Sequence, residues 1–82
     1  MKQIWKFRVN TTIQMPMEAK ILTVQLQDGE PMMWVVVDTE NELESRKFTI
    51  VGTGNSFDDK DAKYIGTFQE PPFVWHLFEI VH

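Results

Sequence analysis

The sequence predicts an all-β domain, built as a single small antiparallel sandwich or partly open barrel of six to seven strands. β-Branched and aromatic residues recur in short runs, turn residues separate these runs, and no long stretch keeps a helical period. The 82 residues are enough for one domain, so residues 1–82 are expected to share one core. A domain of this size buries only about 60% of the surface that its unfolded chain exposes. Self-association would therefore add useful stability.

The first strand is predicted at residues 2–9, where apolar and basic or polar side chains alternate. Successive side chains of a strand point to opposite faces of the sheet. Trp5, Phe7 and Val9 are therefore expected to face the core, and the basic residues between them are expected to face away from it.

The remaining strands follow from the same alternation and from the turn residues between them. Pro16 limits its segment to an edge or a strand end, because proline has no N–H to donate to a ladder. Asp28-Gly29 predicts a hairpin turn, since this pair readily accepts the positive φ angles of a primed turn. Leu22, Val24 and Leu26, before that turn, are expected to face the core. The other predicted strands are residues 13–15, 20–27, 32–37, 46–51, 64–68 and 73–81.

Two of the predicted strands are apolar on both faces. Residues 32–37 read MMWVVV, and residues 73–81 read FVWHLFEIV. Such a strand is either buried on both sides or exposes an apolar patch. We expect these strands to form a surface for self-association or for a partner; core packing and stacking against a ligand are the alternatives for their two tryptophans. The predicted interface residues are Met32, Trp34, Val36, Phe73 and Trp75.

The charge of the chain limits the kinds of ligand that it can bind. Its formal net charge is −4, which disfavours general binding to nucleic acid because that binding relies on basic residues at the phosphates. The first strand nevertheless carries a basic row on one face. In one interpretation, the row binds a phosphate or the acidic surface of another protein. In the other, its charges only protect an edge strand from aggregation. The possible anion- or ligand-binding residues are Lys2, Lys6, Arg8, Arg46 and Tyr64.

A glycine- and aspartate-rich segment raises two further site hypotheses. Gly52-Thr53-Gly54 could present backbone N–H groups to an anion, but the helix and lysine of a phosphate loop do not follow it. Asp58, Asp59 and Asp61 are oxygen donors of the kind that bind calcium, but they lack the EF-hand spacing. A connection between strands and a solvated turn are therefore the favoured interpretations of this segment.

The sequence offers no credible catalytic centre, and we expect no enzyme, no metal and no cofactor. The chain has two histidines and no cysteine, and it lacks a G-x-S-x-G motif. His76 is predicted to be a buried histidine held by a hydrogen bond, with a general base or metal ligand as the alternative.

The same composition bears on the cellular compartment. The lack of cysteine fits a reducing cytoplasm, and no apolar run approaches the roughly 20 residues of a membrane span. We therefore expect a cytoplasmic protein that does not insert into a membrane.

Six segments occur in this order along nearly the whole chain: KQIWKF (2–7), IQMPMEAKILTVQ (13–25), GEPMMWVVVD (29–38), GTG (52–54), YIGTFQ (64–69) and HLFE (76–79). Together they resemble a family of small proteins encoded by tailed bacteriophages and prophages, classed as a domain of unknown function. The family often has a histidine after Gly-Thr-Gly, where this chain has Asn55, which argues against an acid–base or metal role for that loop. The resemblance implies a phage accessory protein in the cytoplasm of the bacterial host, and it implies no catalytic residue.

Together these features predict a non-enzymatic phage accessory protein that acts by binding. It would inhibit or adapt a host protein, including a protein of host defence, and it would form a homo-oligomer. The alternative is an oligomeric sponge that sequesters a nucleotide signal of the host in pockets between subunits. A structural role in the virion or in its assembly is a further alternative that the sequence leaves open.

Overall fold

Seven strands make up the fold in the computed structural model, which describes residues 1–81. No helix occurs among these residues. The all-β prediction is therefore confirmed. The strands are β1 (Lys2–Arg8), β2 (Thr12–Pro16), β3 (Lys20–Gln27), β4 (Glu30–Asp38), β5 (Leu43–Gly52), β6 (Ala62–Glu70) and β7 (Phe73–Ile80).

The strands form two antiparallel sheets that face each other as a sandwich. The three-stranded sheet has the order β1-β4-β3, and the four-stranded sheet has the order β2-β5-β7-β6. The shortest dimension of the molecule is 15 Å, which is consistent with two sheets at the usual spacing of about 10 Å. Pro16 ends β2, an edge strand, as its missing N–H predicts.

The core lies between the sheets and draws on both of them. Met15, Met33 and Leu77 are completely buried there. Trp5 and Phe7 pack against this cluster from β1, which confirms the predicted phase of that strand. The buried cluster consists of Ile13, Met15, Ala19, Val24, Met33, Val35, Val37, Phe48, Phe68 and Leu77.

The Asp28-Gly29 turn joins β3 to β4 as predicted. Both residues have positive φ angles, 53° and 80°, which a type I′ turn requires at its two central positions. The turn sets the register of the hairpin, in which Gln27 lies opposite Glu30.

One part of the β3 prediction is wrong. The register shifts between Ile21 and Thr23, so a β-bulge leaves Leu22 without a partner and 47% exposed. The extra residue reverses the alternation, and Ile21 packs against the core in place of Leu22. After the bulge the predicted phase holds, because Val24 is buried and Leu26 packs against the core.

Gly66 allows β6 to lie close to β3 across the edge of the sandwich. A Cβ atom at this position would lie 2.9 Å from Val24 Cγ1, which is too close for any side chain. The register of β6 against β7 also shifts between Tyr64 and Gly66. The bulge or close backbone approach expected for a glycine within a strand is therefore present.

Candidate functional site

The outer face of the three-stranded sheet carries six of the ten sequence-predicted site residues. Strand β4 runs between β1 and β3, and its register places Lys6, Trp34 and Thr23 in one row across the sheet. Met33, Val35 and Val37 point into the core, so the alternate residues point outward. This outer face consists of Lys2, Ile4, Lys6, Arg8, Lys20, Thr23, Gln25, Gln27, Glu30, Met32, Trp34, Val36 and Asp38.

Apolar residues occupy the middle of the outer face. Ile4 is 62% exposed and lies directly opposite Val36. Trp34 and Met32 continue the apolar row along β4, and all three β4 residues are half-buried. Charged and polar side chains of the two flanking strands surround this centre. A desolvated apolar centre within a polar rim is the usual anatomy of a protein–protein interface.

The outer face is basic although the protein is acidic. It contains four basic and two acidic residues, a net charge of +2, whereas the whole chain carries −4. The rest of the chain therefore carries −6. This charge separation would attract an acidic partner to one side of the molecule.

Two of the three basic residues of β1 already have partners on the outer face. Arg8 forms an ion pair with Glu30 at 2.6 Å. Lys6 Nζ donates a hydrogen bond to Gln27 Oε1 at 2.7 Å, and because β4 separates these two strands, the Lys6 side chain extends across the outer surface of β4. Both pairs are exposed to solvent, where such pairs contribute little to stability and exchange readily with other partners.

Hydrogen bonds hold the Asp38 carboxylate in its charged form at one corner of the outer face. The Glu40 backbone N–H donates to Asp38 Oδ1 at 3.1 Å, and the N-terminal ammonium donates to the same atom at 3.2 Å. These bonds, with a smaller contribution from the charge of Lys2, lower the pKa of Asp38 below its ordinary value of 3.8. Asp38 therefore offsets Lys2, which lies opposite it in the register.

The other two predicted interface residues lie elsewhere. Phe73 and Trp75 sit at the start of β7, beside a groove of about 250 Å³ between the sheets. Their rings stack at 5.6 Å, and Phe73 is exposed. Trp75 Nε1 donates to Glu70 Oε1 at 3.2 Å. The predicted interface set is thus divided between the outer face and this groove, which is lined by Leu26, Pro31, Ile50, Phe68, Glu70 and Trp75.

The predicted anion-binding set is divided as well. Lys2, Lys6 and Arg8 lie together on the outer face, whereas Arg46 and Tyr64 belong to the four-stranded sheet. Both of the latter line a cavity of about 270 Å³ near the edges of β3 and β6. Lys20, Lys63 and Glu79 line the same cavity, and sequence reasoning did not identify them.

A buried ion pair lies beside this cavity. Arg46 Nε and Nη2 donate to the two carboxylate oxygens of Glu79, each at 2.6 Å, and Nη1 donates to the Ala19 carbonyl at 2.6 Å. The hydrogen bond with Glu79 raises the pKa of Arg46. An acidic residue on the core-facing side of the apolar strand β7 requires a basic partner. That requirement is the sequence signal that could have identified the pair.

His76 is half-buried on the outside of the four-stranded sheet, between two threonine hydroxyls. Its Nδ1 lies 2.9 Å from Thr67 Oγ1, and its Nε2 lies 2.7 Å from Thr53 Oγ1. Tyr64 Oη extends the chain of hydroxyls at 2.6 Å from Thr67 Oγ1. Both ring nitrogens are hydrogen-bonded, as expected for a histidine with a structural role, although the side chain is less buried than predicted.

The glycine- and aspartate-rich segment connects β5 to β6. Gly52 ends β5, and residues 53–61 form a loop that leads directly into the next strand. The Asp58 carboxylate accepts a hydrogen bond from the backbone N–H of Lys60 at 2.9 Å, so it stabilises a turn. Phe57 packs on Phe78 at 4.9 Å and anchors the loop on the sheet.

Residues 1–81 lack two features that would indicate other kinds of site. Within residues 1–81, histidine, aspartate and glutamate side chains do not assemble into groups of three or more that could hold a metal ion. The same residues contain no helix that is long and apolar enough to cross a membrane.

Comparison with known proteins identifies the family of the chain. The chain belongs to the family described as a domain of unknown function, DUF7352, whose model matches residues 1–82. No curated protein and no solved structure matches the chain. The family description names no ligand, substrate or partner, so the geometry of the molecule carries the functional argument.

Proposed function

We propose that this member of the DUF7352 family acts by binding, without catalysis, and that the outer face docks a protein with acidic and apolar residues. The observation that carries the proposal is the apolar centre around Trp34 inside a basic rim, on a protein that is otherwise acidic. Apolar contact would supply affinity, and charge complementarity would supply orientation and a fast association rate.

A different protein suits the outer face better than a second copy of this chain. Two outer faces would bring together two net charges of +2, which disfavours their association. An acidic partner would instead form new ion pairs with Lys2, Lys6 and Arg8. Since the present partners of Lys6 and Arg8 are exposed, exchanging them for groups of the docked protein would cost little.

The biological setting is a finer part of the same proposal. The resemblance of the sequence to phage and prophage proteins supports an accessory protein that inhibits or adapts a host protein, including a defence protein, in the bacterial cytoplasm. A sponge for a nucleotide signal is the weaker alternative, because the predicted anion-binding residues are divided between the outer face and the four-stranded sheet. Such a sponge would also require pockets formed between subunits.

Self-association is proposed for the groove beside Trp75. Its lining is mainly apolar and includes one charged residue, Glu70, so two copies would meet little repulsion there. We expect Phe73→Glu to lower the sedimentation coefficient of an oligomer while leaving the outer face intact. An unchanged sedimentation profile for this variant would contradict the assignment of the groove.

The docking proposal is tested by comparing two variants with nearly equal exposure. Ile4 on the outer face is 62% exposed, and Leu43 on β5 is 61% exposed and outside that face. Wild-type protein, Ile4→Glu and Leu43→Glu would each be immobilised and exposed to bacterial lysate, and retained proteins quantified by mass spectrometry. We expect an acidic protein retained by the wild type and by Leu43→Glu to be lost from Ile4→Glu. Equal retention by both variants would contradict the proposal.

A further inference from the structure

A cavity near the edges of β3 and β6 combines an immobilised guanidinium with two lysines. Its volume is about 270 Å³, near the lower end of the range of about 300–1,000 Å³ for small-molecule sites. Lys20 lines it from the three-stranded sheet, while Lys63 and Arg46 line it from the four-stranded sheet. The cavity thus lies where side chains of both sheets meet.

Arg46 is held in a fixed position beside this cavity. The bidentate bond to Glu79 and the bond to the Ala19 carbonyl constrain its guanidinium from two sides. The Arg46 side chain is 17% exposed, and because Nη1 also donates to Met15 Sδ, one of its five N–H groups, on Nη2, has no partner within residues 1–81. A fixed donor loses little conformational freedom when a ligand binds, which favours binding.

The charges at the cavity select an anion. Arg46 and Glu79 neutralise each other, so Lys20 and Lys63 leave a net charge of +2. In residues 1–81, neither lysine takes part in a salt bridge. Lys63 lies opposite Glu79 in the register, which places it next to the ion pair.

A larger neighbouring cavity, of about 600 Å³, shares Arg46, Glu79 and Lys63 but has a different balance of charge. Its lining adds Lys47 together with Glu18 and Glu44, so within residues 1–81 its acidic and basic residues are equal in number. An anion would therefore prefer the smaller cavity, where basic residues outnumber acidic ones by three to one.

We propose that the smaller cavity binds a phosphate group, as inorganic phosphate or as the phosphate of a monoester. Lys20 and Lys63 offset its two charges, and the remaining Nη2–H of Arg46 provides one directed, charge-assisted hydrogen-bond donor. This site shares Lys20 with the outer face, whereas Lys63 and Arg46 lie outside that face.

Nuclear magnetic resonance of the whole protein tests the site. Inorganic phosphate would be titrated at constant ionic strength while the Arg46 Nε–H and the Lys63 backbone signals are followed. We expect saturable shifts in both. Lys63→Gln should weaken binding at least about tenfold, the loss that one charge-assisted hydrogen bond implies. Lys47→Gln is the matched control, because Lys47 lines only the larger cavity, and its affinity should match that of the wild type.

A second titration distinguishes the two sources of the phosphate group. Tighter binding of a nucleoside monophosphate than of inorganic phosphate would support the proposal and assign a monoester as ligand; equal affinity would support free phosphate. Shifts that fail to saturate would overturn the proposal. Equal weakening by Lys63→Gln and Lys47→Gln would also overturn it, since it would indicate only a general attraction to positive charge. Exposed lysines are replaced, so both variants should keep the wild-type fold.

Discussion

Glu79→Gln should be among the most destabilising single substitutions in this protein. Glu79 is the single buried charged residue among those described, and its carboxylate meets Arg46 in two hydrogen bonds of 2.6 Å. Glutamine keeps the size of the side chain but removes its charge. The Arg46 cation would then remain between the sheets without its hydrogen-bonded counter-charge, and the loss of one partner costs about 3–5 kcal/mol in buried pairs.

The partial access of Arg46 to solvent sets the expected loss at the lower end of that range. The side chains of Arg46 and Glu79 are 17% and 8% exposed, so some water would reach the unpaired guanidinium. We therefore expect a loss of about 3 kcal/mol in the free energy of unfolding. A domain of this length has only about 4–12 kcal/mol in total, so the loss is large.

Urea denaturation followed by tryptophan fluorescence measures this effect. With a slope of about 1 kcal/mol per molar urea, the midpoint of Glu79→Gln should fall by about 3 M. Replacing both residues with apolar ones, Arg46→Met with Glu79→Leu, should restore the midpoint to within about 1 M of the wild type, because no buried charge remains. Equal losses for the single and double variants would refute the reasoning, since the double variant leaves no unpaired charge between the sheets.

Three further predictions concern local features of the fold. Gly66→Ala should lower the free energy of unfolding by about 1–3 kcal/mol in the same assay, because its Cβ would meet Val24 Cγ1 at 2.9 Å; wild-type stability would contradict this contact. Because the bulge exposes Leu22 and leaves Val24 buried, Leu22→Lys should change the free energy of unfolding by less than about 0.5 kcal/mol, whereas Val24→Ala should lower it by about 2 kcal/mol. A larger loss for Leu22→Lys than for Val24→Ala would contradict the bulge. The lowered pKa of Asp38 adds stability to the fold that is present above pH 3.8 and is lost as the pH falls below that value. In acid titrations followed by circular dichroism, Asp38→Asn should therefore lose its folded signal less steeply with falling pH than the wild type. Identical acid unfolding curves for the two proteins would contradict this role of Asp38.

Much of the fold could be predicted from local sequence patterns. Alternation placed Trp5 and Phe7 against the core, and the Asp28-Gly29 pair predicted the hairpin. The bulge at Leu22 could not be predicted, because a bulge depends on how two strands fit each other across the sheet. The order of strands in the two sheets likewise depends on pairing between distant segments, which short-range patterns do not specify.

Residue types could be predicted for the candidate sites, but their grouping could not. The basic row and the apolar residues of β4 were both visible in the sequence, yet only the register shows that Lys6 and Trp34 share one face. Arg46 was identified, but its partner Glu79 and its neighbours Lys20 and Lys63 come from other strands. Such sites depend on long-range packing. A single site residue can therefore be predicted from its local sequence, while the residues that it contacts cannot.

The most direct test of the docking proposal uses the three tryptophans as reporters. Trp34 lies on the outer face, Trp75 lies beside the groove, and Trp5 packs against the core from β1. Their indole N–H signals would be recorded by nuclear magnetic resonance with and without the acidic protein retained by the wild type. A shift or broadening of the Trp34 signal, with those of Trp5 and Trp75 nearly unchanged, is the predicted result. A shift confined to Trp75 would contradict the proposal and place the partner at the groove.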